Sequence, residues 1–311
     1  MATWATTAPS HQRDEELPHK LRVILAIAAA VVLVVGLGWY GWDYYLLDLE
    51  QRVEHPMHRV LRPSGTVGLR LGMLGVALFL VIFIYPLRKR WRWLGSIGKT
   101  KHWLDFHSII GITAPILITY HAAFKTGGLA GWSYWIMVVV ALSGFVGRYL
   151  YTQIPRTLQA TDLAVGEIDA ENNALSAELA RQNVLEPGQL AALLDVPTSQ
   201  QVRQMPLVTV LWTLTLLDMK RPILVSALRR RVLSAGERIL TLGGLFASGH
   251  PELEAVIANA RRQAGLRTKI AFLDRIRQMF HLWHVIHRPF SISFVALVLV
   301  HIGVVVTMGY F

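Results

Sequence analysis

The chain has no cysteine. That absence rules out covalent c-type haem attachment, iron–sulfur ligation by this chain, disulfides and cysteine-based zinc sites, so any redox centre must rest on histidine or on a partner. No G-x-G-x-x-G follows a strand-like run and no P-loop is present, which excludes the usual nucleotide folds. Acidic residues are scarce, 20 against 31 basic, for a net charge of +11. The excess lies beside apolar runs, a placement that fits membrane topology rather than nucleic-acid binding. Within the apolar runs the only carboxylates are Asp43 and Asp105, both near run ends. A cation transporter is expected to place more of them inside its spans.

What the chain does have is hydrophobic length. Over 311 residues it is 53% hydrophobic with positive mean hydropathy, the profile of an integral membrane protein. Residues 1–21 read as a polar, poorly ordered tail. Four spans follow within 22–156: residues 21 to about 47, closed by an aromatic belt of Trp39, Tyr40, Trp42, Tyr44 and Tyr45; 66–87; a third around 101–125; and 132 to about 151. The first is too long for a signal-peptide core. Residues 88–101 hold six basic and no acidic residues, which marks that loop as cytoplasmic. The N-terminus is then inside, and the loop carrying His55 and His58 is outside and solvated.

Residues 157–279 read as a helical cytoplasmic insert. Its run at 206–219 is too short to span and is expected to be a core or interfacial helix. The stretch beginning HPELEAVIANARRQAGL reads as a capped helix ending at Gly265. Residues 280–311 form the fifth span, with its end outside. The expected fold is an all-α membrane bundle of about five helices, with the insert between spans four and five.

The third and fifth spans share a device. His107 and His121 are separated by thirteen residues, and so are His287 and His301. Fourteen helical steps return to within about 40° of the same face and rise roughly 21 Å, so each helix points one imidazole inward near each membrane surface. Histidine in lipid is costly without a partner. An interhelical hydrogen bond accounts for any one of them; four at matched depth point to iron, because two neutral imidazoles make a closed, low-spin haem suited to electron transfer. Both spans start at the cytoplasmic face, so like pairs with like: His107 with His287 and His121 with His301.

The paired H-x13-H spans resemble those of the membrane bis-haem cytochromes b, in particular the ferric-reductase-like transmembrane domain, most clearly over spans three to five. The resemblance implies that His107, His121, His287 and His301 are axial ligands of two stacked haem b groups carrying electrons across the bilayer. Ferric reductases and NADPH oxidases usually append flavin and nicotinamide domains, whereas this chain ends at the membrane. Quinol, a redox partner protein or an external metal complex is therefore the expected electron source or sink, within a larger membrane complex. HRPFS at His287 is similar to their flavin motif, but it precedes a span and reads as coincidence. The non-redox alternative is a histidine-lined metal transporter or a structural subunit.

Haem propionates call for cations, and Arg70, Arg148 and Arg288 are the candidates, with Lys125 a further one at an outer span end. Snorkelling to headgroups accounts equally for Lys125 and Arg148. Gly111 and Pro115 lie between the two histidines of the third span, where they allow close approach or a slight kink. His281, His284 and His287 follow one another at one-turn intervals. His284 fits the two-haem spacing less well than His287, and with His102 it is a candidate for a quinone site or a third metal.

Overall fold

Helices account for 82% of the computed structural model, and no strand occurs among the described residues. Those are residues 10–88, 90–154, 163–182, 184–185 and 187–309. The first nine residues of the tail, the start of the insert at 157 and the terminal Phe311 lie outside them. Five helices are long and apolar enough to cross a membrane, and the protein is an all-α membrane bundle with a helical insert.

The chain divides into two units, one of residues 1–148 with 285–311 and one of residues 149–284. The first contains α1 (Ser10–Tyr40), α2 (Trp42–Tyr45), a 3₁₀ turn (Gln51–Val53), α3 (His58–Leu61), α4 (Thr66–Arg88), α5 (Arg92–Gly95), α6 (Thr100–His121) and most of α7 (Gly128–Gln153). The expectation of a polar tail up to residue 21 is corrected here, since α1 begins at Ser10 and continues through Pro18. Apolar residues from Leu21 onward sustain the helix, and its polar first turns extend it beyond the apolar stretch. The first span also stops at Tyr40 rather than near 47, because Gly41 breaks the run before the single turn of α2.

The tightest packing in this unit is α4 against α6, with α1 next. It depends on glycine. A Cβ at Gly72 would sit 2.8 Å from the ring of His121, and one at Gly75 would collide with Ile118. Small residues on one face let two membrane helices approach closely where no hydrophobic drive exists between them.

Much of the loop between α2 and α4 is exposed, but parts of it are packed inside. Arg52 is buried and donates to the carbonyls of Leu47 (2.9 Å), Ala123 (2.5 Å) and Tyr45 (2.7 Å), tying the ends of two spans together. The fully buried Tyr44 bonds His58 Nδ1 at 3.2 Å, and His55 faces Asp43 at 3.5 Å. The other end has a matching tie, where Arg88 donates to the carbonyls of Gly95 and Gly98 and to Thr100.

The second unit holds the last residues of α7 and then α8 (Leu163–Arg181), α9 (Pro187–Leu194), α10 (Ser199–Gln204), α11 (Leu207–Val232), α12 (Ala235–Leu240) and the first part of α13 (Pro251–Thr307). Between Pro187 and Pro197 the chain forms the short helix α9, and Thr198 and Gln201 form a capping box on α10 just after it. The run expected to cover only 206–219 continues through Pro222 to Val232. It buries Val210, Leu214, Val225 and Leu228 in the core of this unit.

The larger correction concerns α13, which runs 57 residues without stopping at Gly265. Leu253, Ile257, Ala260, Ala264, Thr268, Phe272, Ile276 and Met279 form one buried stripe at three- and four-residue steps. Gly265 lies off that stripe. Its helical cost of about 1 kcal/mol is small beside the burial of Phe272 and Ile276 further along, each worth roughly 2 kcal/mol.

Candidate functional site

His121 closes α6 and is held from α4. Its Nδ1 lies 2.8 Å from the Gly68 carbonyl, and its ring rests on the bare backbone of Gly72. Since a carbonyl only accepts, Nδ1 carries the proton and the lone pair is on Nε2. About two turns past the start of the same helix, His107 makes the same kind of bond with the Ile82 carbonyl at 3.3 Å, its ring 5.2 Å from that of Tyr85.

On α13, His287 Nδ1 is 2.7 Å from Ser143 Oγ of α7. That hydroxyl spends its own hydrogen on the Val140 carbonyl, so the imidazole is again the donor and the lone pair again falls on Nε2. His301 lies within electrostatic range of His121. Three of the four candidate ligands thus have Nδ1 fixed by a carbonyl or hydroxyl. An oxygen partner at the nitrogen that does not bind metal is what sets tautomer and ring orientation in metal-binding histidines.

The fit of a macrocycle can be tested on the space beside these rings. Gly111 is one turn above His107 on nearly the same face, and a Cβ added there meets no atom within 4 Å. α6 packs most closely on α4 and then on α1. Imidazoles whose tautomers are fixed at three of the four positions, beside a face left open at Gly111, fit haem b.

The three arginines differ. Arg70 and Arg288 are exposed and have no ion pair among the described residues. Arg148 is paired with Asp105, which also accepts from His19 Nε2 at 2.9 Å. The histidines near the base of α13 are placed differently again. His284 bonds the Phe280 carbonyl one turn back at 3.0 Å and sits edge-on to Phe280 and Trp283, and His281 is exposed. His102 stacks on His19 with ring centroids 3.5 Å apart. No group of three metal-binding side chains occurs among the described residues.

His19 is the residue that sequence reasoning missed. It fell inside the stretch read as a tail, yet it is only 5% exposed. The available signal was its position: two residues before the apolar run, it occupies a helical face at the level where α6 carries its only carboxylate.

No family model, curated protein or solved structure matches the chain.

Proposed function

We propose that the protein is a transmembrane electron carrier with two bis-histidine b haems, one between His107 and His287 and one between His121 and His301. The observation that carries this reading is the repeated fourteen-residue step on α6 and α13, with Nδ1 of His107, His121 and His287 donating to an oxygen so that the ring lone pair falls on Nε2. The likeness to the ferric-reductase-like transmembrane domain belongs to the same proposal.

Haem b held this way supplies reversible one-electron chemistry at a coordinatively closed iron. This chain's residues do the rest. The Gly68, Ile82 and Ser143 oxygens orient three imidazoles, and Gly72 gives His121 room. The exposed Arg70 and Arg288 are free to meet propionates, and the apolar spans exclude water. On this reading the N-terminus and the insert are cytoplasmic, the C-terminal end is outside, and the electrons come from quinol or a partner protein within a larger complex. The test is a reduced-minus-oxidised optical spectrum of the purified protein. A split or broad α-band of b type is expected on dithionite reduction, and a flat difference spectrum overturns the proposal.

A further inference from the structure

Among the described residues of the first unit, three buried side-chain polar atoms lack a hydrogen-bond partner within the protein: Tyr45 Oη, His19 Nδ1 and Arg148 Nη1. The last two belong to one cluster. The other nitrogens of these side chains are occupied by a single carboxylate, His19 Nε2 on Asp105 Oδ2 and Arg148 Nη2 on Asp105 Oδ1. A buried polar atom without a partner costs on the order of 1–3 kcal/mol, so two on one cluster call for a ligand that joins them.

The chemistry of that ligand follows from the pair. With Nε2–H given to Asp105, neutral His19 presents a lone pair at Nδ1, so it accepts a hydrogen; Arg148 Nη1 can only donate. A hydroxyl oxygen between them would satisfy both, giving its hydrogen to His19 and accepting from Arg148. The carboxylate behind His19 stabilises an imidazolium, and the guanidinium stabilises an oxyanion, which together suit removal of a proton from a weakly acidic hydroxyl. The charged and titratable groups around the cluster come from α1, α4, α6 and α7: Lys20 next to His19 in sequence, Tyr85 within range of both Arg88 and Arg148, and His102 within range of His19, Asp105, Lys99 and Lys101. Cations outnumber the one carboxylate, which further favours an anionic oxygen. The surroundings are span residues, with Phe106 edge-on to His19 at 5.9 Å, so the molecule is lipid-soluble. Asp105 is two residues from His107, and Arg148 is five residues beyond the Ser143 that holds His287, about 3 Å and 7.5 Å along their helices.

We propose that His19, Asp105 and Arg148 form a quinol-oxidising site at the His107 end of the bundle. This rests on the two-haem reading above. The O–H bond facing His19 breaks and its proton passes to Nδ1; the proton of the second hydroxyl leaves to water. The two electrons leave one at a time for ferric haem iron, which becomes ferrous, and quinone remains. His19 is the proton acceptor, Arg148 holds the oxygen, and Asp105 keeps both in place.

The test uses the purified full-length protein, decylubiquinol as reductant and the variant His19→Gln, whose amide still reaches Asp105 but takes no proton. The expected result is about 100-fold slower haem reduction by decylubiquinol, with haem content and dithionite reduction unchanged. Equal rates in wild type and variant overturn the site and leave His19 as a structural tie between α1 and α6. Retention of decylubiquinone in detergent, measured after solvent extraction, reads the site independently of haem. Retention near one per chain, lost in Arg148→Gln, supports the site even if the optical spectrum fails the two-haem reading; no retention by the wild type overturns it.

Discussion

At the scale of single residues, glycine decides where a histidine can sit. Gly72→Val places carbon atoms where the His121 ring now lies, within 2.8 Å, and displaces Nδ1 from the Gly68 carbonyl. Gly111→Leu meets no protein atom at Cβ and instead fills the open space above His107. Both are expected to lose about half of the bound haem, Gly72→Val at the His121 position and Gly111→Leu at the His107 position, and Gly111→Leu should leave helicity unchanged. Pyridine haemochromogen assay with circular dichroism checks this, and full haem content in both variants contradicts it. A second residue-scale expectation concerns Tyr45, whose phenol is pushed up to about 12 by burial, with Tyr120 and Tyr44 nearby adding to the rise and Arg52 opposing it. A raised pKa means that the neutral phenol is the stabilising form. Its contribution is complete below the ordinary value near 10 and lost as pH rises toward 12. Thermal melts from pH 9 to 12 should therefore show a steeper loss for wild type than for Tyr45→Phe, and parallel curves count against it.

Elements show where the sequence was readable and where it was not. Spans three and four and the four histidines stood out because apolar length and a fourteen-residue step are local signals. His19 was invisible for the opposite reason: what buries it is Asp105 and His102, 86 and 83 residues away. Arg52 was missed in the same way, since the Ala123 carbonyl that draws it inward lies 71 residues away. The supposed helix end at Gly265 failed because one glycine is a weak stop when the buried stripe continues past it. Continuity of α13 has a direct consequence. Gly265→Ala should stabilise the second unit by about 0.5–1 kcal/mol and Gly265→Pro should cost about 3 kcal/mol or more, read by chemical denaturation. A glycine terminating a helix in the left-handed region would give the reverse for alanine, so destabilisation by Gly265→Ala sinks the continuous helix.

The whole molecule is a membrane bundle in which the polar groups at both ends are internally tied, by Arg52 at one end and Arg88 at the other. The basic loop around residues 88–101 sets the expected sidedness. Alkaline phosphatase fused after Phe311 should be active and fused after Gln182 inactive; the opposite pattern inverts the topology. The central claim is iron ligation by four histidines at two depths, and haem per chain measures it most directly. Two b haems are expected in the wild type. One should remain in each of His107→Ala and His287→Ala, with the same spectral component missing from both, and the other component should be missing from His121→Ala and His301→Ala. A wild-type protein without haem, or a shared loss between His107→Ala and His301→Ala, contradicts the account.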